Sequence, residues 1–556
     1  ATLTVFISLL FATLWAVPAR RIVFTHTQKD GTELRLMLVG DENLHYYKNM
    51  DTGERMEHTA NGDYCVISPK EFEQREAKAN TQRQLINKKD IQRQSVQSRS
   101  RMQGTSKQKM KGRNVKAMVG EKNALVIMVE FPNQKFTHSR QEFADMLNEP
   151  GYSKNGHIGS AKDYFAAQSY GKLSLNFTVV GPYMVSRAST YYGKDDNGVH
   201  DVKAHEMVRE AIKLAKNDVD YKLFDWDGDG EVDNVMVIYA GYGGNAKSEE
   251  PDYLWPQRHY FSLNGGIEQI SNLMFDSYCY VNEITETKDG DLMSGIGTAC
   301  HEFSHTLGLS DVYYEERKDT PFCYDIMDQG TYNGPNFLGG VPCGYSAWER
   351  WMMGWLDLTE LKEPTTVEDM PALSDKPVAY IFYNDNNANE YFILENRQKR
   401  DFFQYYGPRK ASHGLYIMHV NFKETDWLMN HINQLPNPPR YTFIPSGHEF
   451  GADQDAQALF PSKYGVTEFT STSHTDCGGK YYNPNSLGTY SLQNQDITEI
   501  SETNGYISFL FDGGDPSAIK EVTTSDASAA TYDIFGRQVN SQYKGIIIKQ
   551  GKKIVR

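Results

Sequence analysis

His301 and His305 stand four residues apart, with Glu302 directly after the first of them. On a helix, residues at this spacing share one face, so the two imidazoles can hold a single metal ion together. Glu302 sits beside the pair without belonging to it. That position suits a carboxylate that takes a proton from a water acidified by zinc and passes it on. Gly308 can adopt positive φ and stop the helix, letting the chain turn back so that Asp311 reaches the metal as third ligand. A fourth coordination position is then open, which a catalytic zinc requires.

Further along, Cys323-Tyr324-Asp325-Ile326-Met327-Asp328-Gln329-Gly330 looks like the Met-turn that lies beneath the zinc in metzincins. With these motifs in hand, the chain resembles secreted metallopeptidases of the immune inhibitor A family, whose zinc motif ends in Asp where most metzincins have His. The resemblance runs from about Val115 to about Gly513. It implies an α+β chain: a metzincin-like zincin catalytic domain, a small β-rich pro-module and a C-terminal β-rich domain. It also implies zinc on His301, His305 and Asp311, Glu302 as general base and Met327 as the Met-turn residue. For the group that stabilises the oxyanion, Tyr332 and Tyr345 are the candidates. The substrate, a protein or peptide, is expected to lie extended along an edge strand above the helix. Two other readings compete. A surface-exposed binding or adhesion protein with a structural metal site would have no need of the base Glu302. A zincin of the other ligand class would use a distant carboxylate such as Glu349 in place of Asp311, which Gly308 and Met327 argue against.

The elements that must position these groups are legible from periodicity. The active-site helix is expected from about Ser294 to Leu307, with Gly308 as its stop. Ala124-Leu125-Val126-Ile127-Met128-Val129 is a continuous apolar run, and a buried strand over Asn123 to Phe131 follows from it. Helical patterns occupy Ser139 to Leu147, Ala161 to Ser169 and Val199 to Ala215, and strands fit Leu173 to Val180 and Val232 to Ala240. Beyond Trp355 the pattern changes to short strands over Ala379–Tyr383, Tyr391–Glu395 and Gly414–Val420. His419, alone inside an apolar strand, reads as a core residue and not as a ligand.

Asp225, Asp227, Asp229 and Asp233 fall at the first, third, fifth and ninth positions of a calcium-binding loop, with Gly230 at the sixth for the turn and Glu231 between them. Hard oxygen ligands around a glycine turn suit calcium. The twelfth position, usually a bidentate Glu, is Met236, so the expected role is structural and not regulatory.

Charge and composition set the remaining domains. Over 556 residues the net charge is −15, yet Lys70 to Lys116 holds fourteen Lys or Arg against four Asp or Glu. A basic, Gln- and Ser-rich block without apolar period is a solvated arm. It lacks the interleaved aromatics that stack bases, and the rest of the chain would repel phosphate, so no nucleic acid is expected as partner. Leu3 to Ala16 is an uncharged apolar run followed by small residues at Val17-Pro18-Ala19, which reads as a signal peptide over residues 1–19. No later run reaches membrane-spanning length, so a secreted or cell-surface protein without stable membrane insertion is expected. Residues 20–115 then form a propeptide, a β module plus the basic arm, followed by the catalytic domain at 116–358, a β-rich domain at 359–514, and a linker with a terminal segment at 515–556. That terminal segment resembles the end of a C-terminal sorting domain and implies the type IX secretion machinery as partner. The order of parts implies a zymogen, activated by cleavage between Lys70 and Lys116. Cys65 or Asp63 could occupy the open metal position in the latent form. Six cysteines do not make a disulfide scaffold, although pairing Cys323 with Cys343 would brace the floor beneath the metal.

Overall fold

In a computed structural model of the chain, the described residues are 15–514 and four short strands between 531 and 555. Excepted within the first range are 60, 80–117, 196–199, 247–252, 288–289, 315–316, 429, 431, 434–437, 448–458, 475–479, 483–488 and 494. Residues 80–116 of the expected basic arm therefore lie outside the described residues, while residues 70–79 are helical and bury Phe72 and Ala79, and so are not the solvated coil expected there.

Trp15–Ala16 (β1) opens the description, followed by Val23–Thr27 (β2), Glu33–Gly40 (β3), His45–Asn49 (β4), Arg55–His58 (β5) and Tyr64–Val66 (β6). Strands β2 to β6 form a five-stranded sheet in sequential order, every neighbour antiparallel. The catalytic region begins with Gly120–Glu130 (β7), Arg140–Asn148 (α1), Ala161–Gln168 (α2) and Leu173–Met184 (β8). Then come Ala204–Ala215 (α3), Val235–Tyr242 (β9), Gln257–Tyr260 (β10), Ser277–Thr287 (β11) and Ile296–Leu307 (α4). The main sheet has the order β1-β10-β11-β9-β7-β8, and a short strand, Gly290–Met293, returns on β11. Strands β8, β7, β9 and β11 are parallel; β10 is antiparallel to β11, and β1 antiparallel to β10.

Strand β7 shows why its run reads as apolar throughout: both faces are covered. Leu125, Ile127 and Val129 pack with Met207, Val208, Ala211 and Ile212 of α3, while Val126 and Met128 face the cluster containing Ile296, Phe303 and Leu307 of α4. Helices α1 and α2 start at Ser139 and Ser160, each closing a capping box with the acidic residue three places on. Helix α3 begins at Ala204 instead of Val199. Asp201 stands at φ 52° and turns its buried carboxylate onto the backbone N–H of Trp255 (2.8 Å), which takes the chain out of the helical path.

After Ala347–Met352 (α5), Tyr380–Asn384 (β12), Asn387–Arg397 (β13), Gly414–Asn421 (β14) and Tyr441–Ile444 (β15) run as consecutive antiparallel neighbours in a second sheet. One face of it enters the same core as α4, through Tyr391, Ile393, Met418 and Val420. His419 is buried, 3.1 Å from Glu390 and stacked on Phe392, so it is a satisfied core residue. Thr531–Asp533, Gln538–Val539, Ile546–Lys549 and Lys552–Val555 make a separate four-stranded sheet. Cys323 and Cys343 are both free thiols, so the pairing the sequence left open is not made; Cys343 lies beside the buried Arg397 guanidinium.

The segment expected to end a signal peptide at residue 19 is built into the fold. Trp15 pairs with Arg258 and Ala16 with Gln257 along the outermost strand of the main sheet. Ala16 and Ala19 share a core with Leu36, Leu38, Tyr47, Met56 and Tyr64 of the β module and with Trp255 of the catalytic region. The backbone N–H of Ala19 donates to Gly40 (2.8 Å), so the module holds this segment against the catalytic region.

Candidate active site

Helix α4 carries His301, Glu302 and His305, all buried. Gly308 ends it at φ 103°, a conformation glycine takes at little cost. The chain then folds back and delivers Asp311. His301 Nδ1 lies 2.7 Å from the carbonyl of Ile326, and His305 Nδ1 lies 2.8 Å from the carbonyl of Leu309. A carbonyl can only accept, so each Nδ1 carries the proton and each Nε2 is left as the ligating nitrogen. The two Nε2 atoms are 3.2 Å apart, and Asp311 Oδ1 is 3.1 Å from that of His301 and 3.5 Å from that of His305.

Two unprotonated nitrogens and a carboxylate oxygen converging in a dry interior repel one another unless a cation joins them. Asp311 Oδ1 is buried without a hydrogen-bond partner. Its proximity to His301 Nε2 is therefore ligand-to-ligand spacing and not a hydrogen bond. The donor set, two imidazoles and one carboxylate, is one that zinc accepts while keeping a coordination position open. Among the described residues, the group able to hold a metal here consists of His301, His305 and Asp311. Burial, and then the nearby His301, push the His305 imidazole well below its usual range, which keeps it neutral as a ligand must be.

The segment that reads as a Met-turn lies against the histidines. Ile326 supplies the carbonyl that orients His301, Met327 is fully buried, and its own carbonyl accepts from the N–H of Val312 (3.1 Å), one residue past the third ligand. Asp325 accepts from the Met327 N–H (2.8 Å) and ties the turn to Tyr441 of β15 (3.1 Å).

Asn430 is a site residue the sequence did not reveal. Its Nδ2 donates to Asp311 Oδ2 (2.7 Å), and its Oδ1 accepts from the Asp311 N–H (2.7 Å). This pair of bonds fixes the carboxylate so that Oδ1 faces the histidines. No spacing in the sequence links two residues 119 positions apart. Asn430→Ala is expected to weaken metal binding about 10–100-fold, as loss of a ligand's hydrogen-bonding partner does elsewhere. Competition with a chromophoric chelator measures this, and unchanged affinity would show that Asp311 needs no such support.

Glu302 points its carboxylate into the cleft. Oε1 accepts from the backbone N–H of Val17 (2.9 Å), and Oε2 is buried with no partner. Burial, followed by the charge on Asp311, pushes this carboxyl well above the usual range. The segment around Val17 runs through the cleft and is gripped at successive carbonyls. Tyr313 donates to Ala16 (2.7 Å), Trp255 to Val17 (2.9 Å), Tyr332 to Pro18 (2.6 Å) and Gln329 to Ala19 (2.8 Å). Arg20, 6% exposed, donates through its guanidinium to the carbonyls of Phe337 (2.8 Å), Glu286 (2.8 Å) and Asn336 (2.7 Å).

The other expected site residues separate into those the fold brings in and those it does not. Tyr332 lies in the cleft, but Tyr345 is behind α4, bonded to Ser304 and stacked on Trp355 at 5.8 Å. Glu349 caps α5 and is not in the metal group. Cys65 is exposed beside Glu57, and Asp63 accepts from the N–H of Lys29 (2.9 Å). Neither belongs to the metal group, so the latency reading based on them is corrected: the β module presents Val17–Arg20 to the site and not its own strand β6. In the acidic loop, the carboxylates of Asp225, Asp227 and Asp229 converge within 4.8 Å. Glu231 lies in a short strand, and Asp233 turns inward to accept from the N–H of Trp226 (2.6 Å), so these two stand apart from that group.

A helix presenting two histidines and a buried glutamate, a carboxylate returned by a glycine turn, and a sheet edge lined by a peptide segment together define a metallopeptidase domain of mixed helix and strand. Residues 114–356 match the model of the immune inhibitor A peptidase M6 catalytic domain. The chain is 26% identical over 279 residues to Pre-pro-metalloprotease PrtV of Vibrio cholerae serotype O1, covering 42% of this chain and 30% of that one. It is 26% identical over 272 residues to Immune inhibitor A of Bacillus thuringiensis subsp. alesti, covering 41% and 39%. The chain thus spans less than half the length of these curated relatives. Among the described residues, no helix is long and apolar enough to cross a membrane.

Proposed function

We propose that the protein is an exported, zinc-dependent endopeptidase with a metzincin-like catalytic domain, acting on protein substrates and made as a zymogen. The observation that carries this reading is the convergence of His301 Nε2, His305 Nε2 and Asp311 Oδ1 beside the carboxylate of Glu302. A zinc ion held by those three residues supplies Lewis acidity, drawing the pKa of water toward about 7 and polarising a carbonyl. Glu302 accepts the proton of the attacking water and delivers it to the leaving nitrogen. Strand β10, which becomes the sheet edge once β1 leaves, binds an extended backbone as it binds β1. A site that only held a metal for structure would need no buried carboxylate beside it.

Latency on this reading comes from Trp15–Arg20 occupying the cleft, held there by the β module, which requires that the apolar leader be cut before Trp15 and not at residue 19. Cleavage between Lys70 and Lys116 lets the module leave, and the terminal strands from Thr531 to Val555 serve type IX export. The test is direct: metal-loaded full-length protein should gain activity on denatured protein once cleaved in the basic arm, and lose it to a chelator. A protein that bound zinc and cleaved nothing after such processing would instead be the metal-stabilised adhesion protein.

The acidic loop is proposed to hold a structural calcium ion through Asp225, Asp227 and Asp229. Gly228 and Gly230, at φ 77° and 87°, fold the loop tightly enough to bring these carboxylates together. An ion bound to the folded state alone raises stability with its concentration. Asp227→Ala combined with Asp229→Ala is therefore expected to abolish the calcium-dependent rise in Tm. A rise equal to the wild type's would remove the site.

A further inference from the structure

The peptide bond between Ala16 and Val17 lies between two groups of the catalytic unit. Its N–H donates to Glu302 Oε1 (2.9 Å), and its carbonyl accepts from the hydroxyl of Tyr313 (2.7 Å). The strand that contains it pairs antiparallel with β10, Trp15 opposite Arg258 and Ala16 opposite Gln257. Beyond it, Trp255, Tyr332 and Gln329 each hold one of the next carbonyls. An extended polypeptide is thus threaded through the cleft with a definite register, in which the nitrogen of Val17 is the one that meets the general base.

That register identifies the reacting position. In hydrolysis, water adds to the carbonyl carbon, its proton passes to Glu302, and the carbon–nitrogen bond breaks as that proton reaches the departing nitrogen. The nitrogen resting on Glu302 therefore marks where the leaving nitrogen of a substrate would sit, and the carbonyl of Ala16 marks where negative charge would develop. Resting on the peptidase reading, we propose that Tyr313 is a catalytic residue whose hydroxyl donates a hydrogen bond to the carbonyl oxygen of the scissile bond. It stabilises the developing oxyanion and keeps its own proton throughout. Tyr332 meets the carbonyl of Pro18, two residues on, and contributes to binding of the substrate backbone. Tyr345, bonded to Ser304 behind the helix, plays no part. Tyr313 lies two residues past Asp311, so the turn at Gly308 that delivers the third ligand also delivers the oxyanion donor.

The test uses the full chain, zinc-loaded and cleaved in its basic arm, as wild type, Tyr313→Phe and Tyr332→Phe. Tyr313→Phe should lower kcat about 10²–10³-fold with KM little changed, the loss seen when a single oxyanion donor is removed. Zinc content should stay at the wild-type level. A phosphinic peptide, whose tetrahedral oxygens mimic the oxyanion, should lose affinity by the same factor, as transition-state mimics do. Tyr332→Phe should act mainly through KM. In the metal-free full chain before cleavage, Tyr313→Phe should also speed amide exchange at Trp15–Val17, since the strand loses its grip on the carbonyl of Ala16. Wild-type kcat in Tyr313→Phe, or a fall in kcat with phosphinic affinity intact, overturns the assignment. A wild type that hydrolyses nothing overturns the peptidase reading beneath it, whereas an active wild type with an equally active Tyr313→Phe overturns Tyr313 alone.

Discussion

Glu302→Gln is expected to lower kcat by about 10²–10⁴-fold, the share that a positioned general base contributes. The substitution changes little else. Glutamine has nearly the shape of glutamate, and its amide oxygen can still accept from the N–H of Val17 as Oε1 does at 2.9 Å. It cannot take a proton from water. Glu302 is not one of the three ligating groups, so the variant should retain zinc at the wild-type level. His305→Ala and Asp311→Ala should lose metal and activity together, because two ligands alone do not hold zinc in an open site. Kinetics on an unfolded protein substrate, paired with metal analysis of the same samples, separates the two behaviours. Full turnover in Glu302→Gln would assign the base elsewhere.

Gly297→Ala is expected to destabilise the fold by about 3 kcal/mol or more, at the upper end for overpacking. From helix propensity alone the opposite sign follows, since Ala exceeds Gly by up to about 1 kcal/mol in helices, although Gly297 stands in the first turn of α4 and not in its interior. The surroundings of Gly297 decide which wins. A Cβ there would stand 1.8 Å from the carbonyl oxygen of Thr331, 2.9 Å from its carbon and 3.1 Å from the Cα of Gly339. All three are backbone atoms, which cannot swing aside as a flexible side chain does. Helix α4 would have to move off the segment around Thr331 and Gly339, and the register that sets His301 Nδ1 2.7 Å from the carbonyl of Ile326 would move with it. Chemical denaturation should show the loss of stability, and a zinc titration should show weaker binding. A variant more stable than the wild type would mean that the close approach of these backbones does not exist in solution.

Much of the metal site was legible in the chain because its information is local. The four-residue spacing of His301 and His305, the stop at Gly308 and the return to Asp311 span eleven residues. Helix geometry alone places the two imidazoles together. Local periodicity also carried helices α1 and α2 and the buried run of β7, each of which has the expected type and nearly the expected extent. The shortening of α3 escaped prediction since its cause, the bond from Asp201 to Trp255, joins residues 54 apart.

What the sequence by itself determined is what a single helix and the turn after it can encode: two imidazole nitrogens and a carboxylate able to meet at one point, with a second carboxylate beside them. The tertiary structure decided everything that depends on distant segments meeting. It chose Asn430 to brace Asp311, set Thr331 against Gly297, and placed Tyr313 and not Tyr345 over the cleft. It also laid Trp15–Arg20, which reads as the end of an apolar leader, along β10 with Val17 on Glu302. The physical reason is one of range. Side-chain spacing along a helix follows from 3.6 residues per turn. Contacts between segments hundreds of residues apart follow from how whole sheets and helices bury their apolar faces, and no local pattern records that outcome.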